Sequence, residues 1–209
     1  MNSNKIRLII GVLFCSLIFP AMLYAQEANE LLLDDFEGVI SSGESGTVDF
    51  GSGGGSTVEV KASPEIKHHG EQSLEVKFEA VSGGYMWIAR GYELTVKGAG
   101  KWLVEPKDID FTKYNALSFY MYGANSKNQV AVDIVDNGAE YWRYLVEDNF
   151  TGWKEVVIPF KDFFPRGDWQ PDKADKNAEL NFPARVFQFE PRPEGKGTIY
   201  FDYVRLVKK

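Results

Sequence analysis

Apolar and polar residues alternate along most of this chain. Ser73 to Ala80, SLEVKFEA, puts Leu74, Val76 and Phe78 on one face and Glu75, Lys77 and Glu79 on the other. That is the period of two expected of a strand with one buried face. Ala116 to Tyr122 sets Leu117, Phe119 and Met121 against Ser118, Tyr120 and Tyr122. Gln129 to Asp136 sets Val130, Val132 and Ile134 against Ala131, Asp133 and Val135, and the turn tripeptide Asp136-Asn137-Gly138 follows it. Further strands are predicted over Leu31–Gly38, Val58–Lys61, Tyr85–Leu94, Glu140–Glu147, Trp153–Phe160, Val186–Glu190 and Thr198–Val207. No stretch carries a 3.6-residue apolar period over ten residues. About ten short strands separated by turn chemistry predict an all-β, two-sheet sandwich of jelly-roll type.

Two segments depart from alternation. Between Ser41 and Val60, 11 of 20 residues are Gly or Ser, which predicts a flexible loop over residues 41–57 within one domain. The N-terminus carries Lys5 and Arg7, a run of mostly apolar residues from Leu8 to Phe19, Pro20, and a small residue at Ala25. This is the layout of a secretory signal peptide cleaved after Ala25, with an apolar run too short for a membrane span of about 20 residues. Cys15 lies inside that run and is not preceded by the small residues a lipoprotein signal requires. The expected location is therefore outside the cytoplasm, secreted or periplasmic.

Removing residues 1–25 from the 209 leaves 184 residues, enough for a single core, and no cysteine. An exported domain without disulfides depends on its core or on a bound metal. The formal net charge of −7 becomes −9 once the two leader cations are removed. Nucleic acid and anionic membranes are then unfavourable partners, while neutral or cationic ligands fit.

Candidate chemistry is concentrated in FKDFFPRGDWQPD, Phe160 to Asp172. Arg166, Asp168 and Trp169 bring a planar cation, an anion and a large flat ring within four residues. A pyranose can stack its apolar face on the ring and offer its hydroxyls to the charges. A core-capping Trp169 beside a surface ion pair is the plainer alternative. Tyr120 and Tyr122 would lie beside Asp133 if their strands were neighbours, and tyrosines on a curved sheet could line a sugar groove. His68 and His69 are adjacent, which on a strand points them to opposite faces and argues for a solvated loop rather than a metal site. No phosphate loop, GxSxG or HExxH pattern is present. Asp34, Asp35 and Glu37 on the first strand and Asp202 on the last could together supply hard oxygen ligands for Ca2+.

Five blocks in order resemble a known family: LLLDDFEGV, GYMWIARGYEL (84–94), FTKYNALSFYMYG (111–123), AEYWRYLVEDNFTGWKEVVIPFKDFFPRGDWQP (139–171) and TIYFDYVRL (198–206). They are similar to family 11 carbohydrate-binding modules, the galactose-binding-domain-like jelly rolls attached to certain bacterial β-glucanases and cellulases. The resemblance implies a non-catalytic module that binds a polysaccharide chain, such as mixed-linkage β-1,3-1,4-glucan, and carries structural calcium. By motif it assigns the cleft to Tyr85, Tyr141, Arg166, Asp168 and Trp169, with Trp169 standing where the family has tyrosine, and Gln170-Pro171 retained. It assigns calcium to Glu37 and Asp202. The family's tyrosine after the first strand has no counterpart here. The Asp, His and Tyr of its penultimate strand do not reappear in 184–190, where Gln188 and Glu190 are nearby candidates. An adhesive sandwich that has lost the cleft, or a component of a glucanase, are the alternatives.

Overall fold

A computed structural model of the chain describes residues 29–42, 46–94 and 102–209. The predicted signal peptide lies outside the described residues. No helix among the described residues is long and apolar enough to cross a membrane.

Among the described residues twelve strands follow in order: β1 Glu30–Asp34, β2 Asp49–Gly53, β3 Thr57–Ser63, β4 Ser73–Glu79, β5 Tyr85–Gly91, β6 Ala116–Ala124, β7 Gln129–Val135, β8 Tyr141–Glu147, β9 Thr151–Pro159, β10 Phe164–Pro165, β11 Val186–Pro191 and β12 Lys196–Val207. They form two six-stranded antiparallel sheets. Sheet A runs β3-β4-β12-β6-β9, with β1 also on β12; sheet B runs β10-β8-β7-β11-β5-β2. The sandwich is the one that the alternation predicts, because each strand has one apolar face and the two sheets bury those faces against each other.

Phe119 of sheet A, Phe189 of sheet B and Phe201 of sheet A meet at the centre, with Phe189 and Phe201 stacked at 3.8 Å and 4°. A buried ionic contact lies inside this core. Arg90 points inward from β5, donates Nε and Nη2 to the two carboxylate oxygens of Asp34, and donates Nη1 to the Thr47 carbonyl. Burial pushes the Asp34 carboxyl above its ordinary range despite the Arg90 guanidinium beside it. Asp34 is therefore committed to Arg90 rather than available to a metal.

Within the predicted loop, residues 49–53 depart from the expectation. Asp49–Gly53 is the edge strand of sheet B, paired along its whole length with Tyr85–Ala89, and a tight turn at Gly54-Gly55, both at positive φ, leads into β3. Composition misleads here because Gly51 and Gly53 are short for a packing reason. A Cβ on Gly51 would collide with the Trp87 ring and one on Gly53 with the Tyr85 ring, so the glycines make room for aromatic rings lying across the edge strand.

Candidate functional site

Three rungs of sheet B, read from the strand registers, build its outward face. One carries Val186, Val135 and Tyr141; the next Asp49, Ala89, Gln188, Asp133 and Arg143; the third Gly51 and Trp87, then Ala131 and Leu145 beside Glu190. Small side chains in the middle of the sheet leave a trough between aromatic groups on either side. A cavity of about 860 Å³ lies there, lined among others by Tyr85, Trp87, Tyr141, Arg166, Asp168 and Trp169.

On the β2–β5 side, Tyr85 and Trp87 are two residues apart on one strand and so share a face. Their rings are nearly parallel, 15° apart with centroids at 6.2 Å. The Trp87 indole Nε1 donates to Asp49 Oδ1 at 3.0 Å, which fixes the ring over Gly51. On the β8–β10 side, Trp169 meets Tyr141 edge to face at 5.3 Å and lies over the Arg166 guanidinium at 5.5 Å. Tyr85 is 55% and Trp169 51% exposed. Gln170 holds this wall in place: its side-chain oxygen accepts from the Tyr141 backbone N–H at 2.8 Å, and its Nε2 donates to the Tyr141 and Arg166 carbonyls at 2.8 and 3.0 Å.

Beneath the trough is a connected ionic floor. Arg143 donates to both oxygens of Asp133 at 2.7 and 2.8 Å and to Glu190 Oε2 at 2.5 Å. Arg166 lies 3.2 Å from the same Glu190 oxygen and donates to Asp168 Oδ1 at 2.7 Å. Gln188 Nε2 donates to Asp133 at 3.3 Å, and Arg192 pairs with Glu190. Burial opposes the Arg143 charge, but the Asp133 hydrogen bonds and the neighbouring carboxylates outweigh it and hold Arg143 above the ordinary arginine range. Burial likewise opposes ionisation of Asp168, and its bonds to Arg166 outweigh that and hold the carboxyl below its usual range. The floor is thus charged yet internally paired. It presents fixed donors and acceptors to a ligand without net charge.

Tyr85, Tyr141, Arg166, Asp168, Trp169, Gln188 and Glu190 therefore meet in one cavity, with Asp133 buried beneath it. Tyr120 and Tyr122 do not. Their strand β6 belongs to sheet A and β7 to sheet B, so both tyrosines face out from the opposite side of the sandwich. Alternation along each strand is blind to which strands become neighbours. Trp87 and Arg143 are cavity and floor residues that the sequence reading passed over. Tyr85 and Tyr141 came from the family motif, and a period of two along the same strands puts Trp87 and Arg143 on the same face.

The metal candidates converge on one loop. Glu37 Oε1 accepts from the backbone N–H groups of Glu71 at 2.9 Å and Gln72 at 3.3 Å. Asp202 Oδ2 accepts from those of His68 and His69, both at 2.8 Å. Asp202 Oδ1 is buried with no hydrogen-bond partner, and burial raises the Asp202 carboxyl pKa. Among the described residues no group of three or more His, Cys, Asp or Glu side chains is placed to hold a metal. The histidines do not diverge as strand neighbours would. They lie on a bend with their Nδ1 atoms 2.7 Å apart, stacked on Tyr120 at 3.5 Å and Tyr203 at 3.9 Å.

Comparison with known proteins adds three findings. Residues 20–208 match the profile of a family described as a carbohydrate binding domain (family 11). Endoglucanase H of Acetivibrio thermocellus is 29% identical over 182 residues, which is 85% of this chain but 18% of that protein. Among solved structures, the family 11 carbohydrate-binding module from Clostridium thermocellum in complex with a β-1,3-1,4-mixed-linked tetrasaccharide is similar at TM-score 0.67 and 25% identity, over 86% of this chain and 95% of that one. The family 11 module of the cellulosomal cellulase Lic26A-Cel5E from the same organism has the same fold at TM-score 0.65 and 22% identity, over 86% and 95%.

Proposed function

From the premise that this chain belongs to the family 11 carbohydrate-binding domains, we propose that its ligand is a β-linked glucan chain lying in the trough of sheet B. The observation that carries this reading is the pair of half-exposed aromatic groups, Tyr85 with Trp87 and Trp169 with Tyr141, on opposite sides of one cavity with a paired ionic floor. Rings stack on the pyranose faces, while Arg166, Asp168 and Gln188 meet the hydroxyls. A solved relative holding a β-1,3-1,4-mixed-linked tetrasaccharide supports the choice of glucan. Native affinity electrophoresis against a panel of neutral polysaccharides tests it. Retardation by mixed-linkage β-glucan or a soluble cellulose derivative is expected, and unchanged mobility in every gel would overturn the reading in favour of an adhesive sandwich.

The glycine edge strand belongs to the same site. Gly53→Val places a branched side chain where the Tyr85 ring lies and is expected to swing that ring away. The loss of one stacking contact, roughly 0.5–1.5 kcal/mol, corresponds to about two- to thirteenfold weaker glucan binding by titration calorimetry. Undiminished affinity would remove Tyr85 from the site.

Structural calcium is part of the proposal. The buried, partnerless Asp202 Oδ1 fits a hard cation, since an interior oxygen left unpaired costs about 1–3 kcal/mol. Glu37 and the carbonyls of Phe36 and Gly38, which now accept from Gln72 Nε2 at 2.6 and 2.8 Å, would supply further oxygens. A ligand bound by the folded state alone stabilises it by mass action. Chelation is therefore expected to lower the melting temperature of the wild type and leave that of Glu37→Ala unmoved. Superimposable wild-type melts with and without chelator would remove calcium from the account. Export through the leader completes the reading, and the N-terminal sequence of the exported protein is expected to begin at Gln26.

A further inference from the structure

The outward face of sheet A is unlike an ordinary solvated sheet. A single rung crosses five of its strands: Lys61 on β3, Glu75 on β4, Tyr200 on β12, Tyr122 on β6 and Trp153 on β9 are consecutive register partners. The Tyr122 ring stands edge to face with Trp153 at 5.5 Å and with Tyr200 at 5.7 Å. His68 continues the array, edge to face with Trp153 at 5.5 Å. At the other end Lys61 and Glu75 pair at 3.1 Å.

Three features bear on what this strip could hold. The rings come from adjacent strands and their centroids repeat at 5.5 and 5.7 Å, close to the length of one sugar unit along a β-linked chain. Each ring is half-buried, and neither the Tyr122 and Tyr200 hydroxyls nor the Trp153 indole N–H donates to any described residue. Donors beside ring faces suit a hydroxylated ligand better than a hydrocarbon one. The strip is also bounded by charges, including the exposed Lys77–Glu59 pair. The paired Lys61 and Glu75 leave it without net charge.

We propose that the Trp153–Tyr122–Tyr200 rung is a second carbohydrate-binding face, for a neutral β-linked glycan chain, on the side of the sandwich opposite the cleft. The two faces belong to different sheets, so one molecule can hold two chains at once and cross-link them. The proposal rests on sheet A alone and stands or falls separately from the cleft.

The five tryptophans of the chain give the test its resolution. Each indole N–H of ¹⁵N-labelled protein is followed during titration with cellohexaose and with a mixed-linkage β-1,3-1,4-glucan hexasaccharide, in the wild type and in Trp169→Ala. Trp142 and Trp102, whose indole groups donate inside the protein to Asp136 and to the Arg90 carbonyl, serve as references. A saturable shift of the Trp153 signal in Trp169→Ala is expected. Residual retardation of that variant in glucan gels is expected to weaken by about tenfold or more, as for loss of a binding hot spot, on adding Trp153→Ala. If Trp87 and Trp169 shift in the wild type while Trp153 moves no more than Trp142, the second face is overturned and the cleft stands. If Trp153 shifts while Trp87 and Trp169 do not, the second face stands and the cleft falls. If no indole moves with either oligosaccharide, the second face is overturned together with the cleft.

Discussion

Trp169→Ala is expected to weaken glucan binding in the cleft roughly 30-fold while leaving the melting temperature almost unchanged. The two effects separate because of where the ring sits. It is half-exposed, packs edge to face on Tyr141, and covers the Arg166 guanidinium; none of these contacts reaches the core. Its truncation removes little burial from the folded state. Arg166 keeps Asp168 and Glu190 as partners, so no charge is left orphaned. For the ligand the loss is large, since a tryptophan flanked by paired charges has the character of a binding hot spot worth about 2 kcal/mol or more, roughly a 30-fold change in affinity. Titration calorimetry with a mixed-linkage β-glucan oligosaccharide, run beside a thermal melt, checks both halves. Affinity within twofold of wild type would sink the role given to this ring. A melting temperature lowered by many degrees would mean that Trp169 is structural after all.

Arg90→Met is expected to have the opposite profile, with a large loss of stability. Arg90 and Asp34 are both almost fully buried, and Arg90 supplies donors to both carboxylate oxygens of Asp34. Removing one member of such a pair typically costs about 3–5 kcal/mol, because the other is left charged and unpaired in the interior. The sign of the pH dependence follows from Asp34. Burial already raises its folded-state carboxyl above the unfolded value even with Arg90 present, and loss of the guanidinium raises it further. A carboxyl whose folded pKa is raised costs stability above that pKa, and the cost is relieved as pH falls through it towards the unfolded value. The variant should thus lie closest to wild type in mild acid and furthest from it near neutrality. Pairing it with Asp34→Leu should restore most of the loss, since a well-packed apolar replacement of a buried ion pair is often neutral. Denaturant unfolding of the three proteins at two pH values measures this. A single variant as stable as wild type at neutral pH would contradict the account.

The sandwich was legible in the order of residues because burial on one face of a sheet leaves a period of two that needs no knowledge of neighbours. Leu74, Val76 and Phe78, or Leu117, Phe119 and Met121, announce their strands and their inward faces locally. The β8–β10 wall was legible because Arg166, Asp168, Trp169 and Gln170 are close in sequence, although the clamp of Gln170 onto Tyr141 that holds them spans 29 residues.

The edge strand over Asp49–Gly53 was not legible. Gly and Ser lower local strand propensity, and what offsets this is the packing of Trp87 and Tyr85, supplied by a strand more than thirty residues away. The ionic floor was hidden for the same reason. Asp133, Arg143 and Glu190 become partners through the β7–β8 and β11–β7 registers, and nothing in one strand specifies the strand beside it.

By itself, the sequence determined which face of each alternating strand is buried, the family, and the chemistry of one wall of the cleft. Tertiary structure alone decided that Tyr120 and Tyr122 belong to the other sheet, that Trp87 completes the facing wall, and that Asp34 is spent on Arg90. The reason is physical. Alternation is a property of one strand and water, whereas a binding surface is a property of several strands whose order is set by the whole sheet.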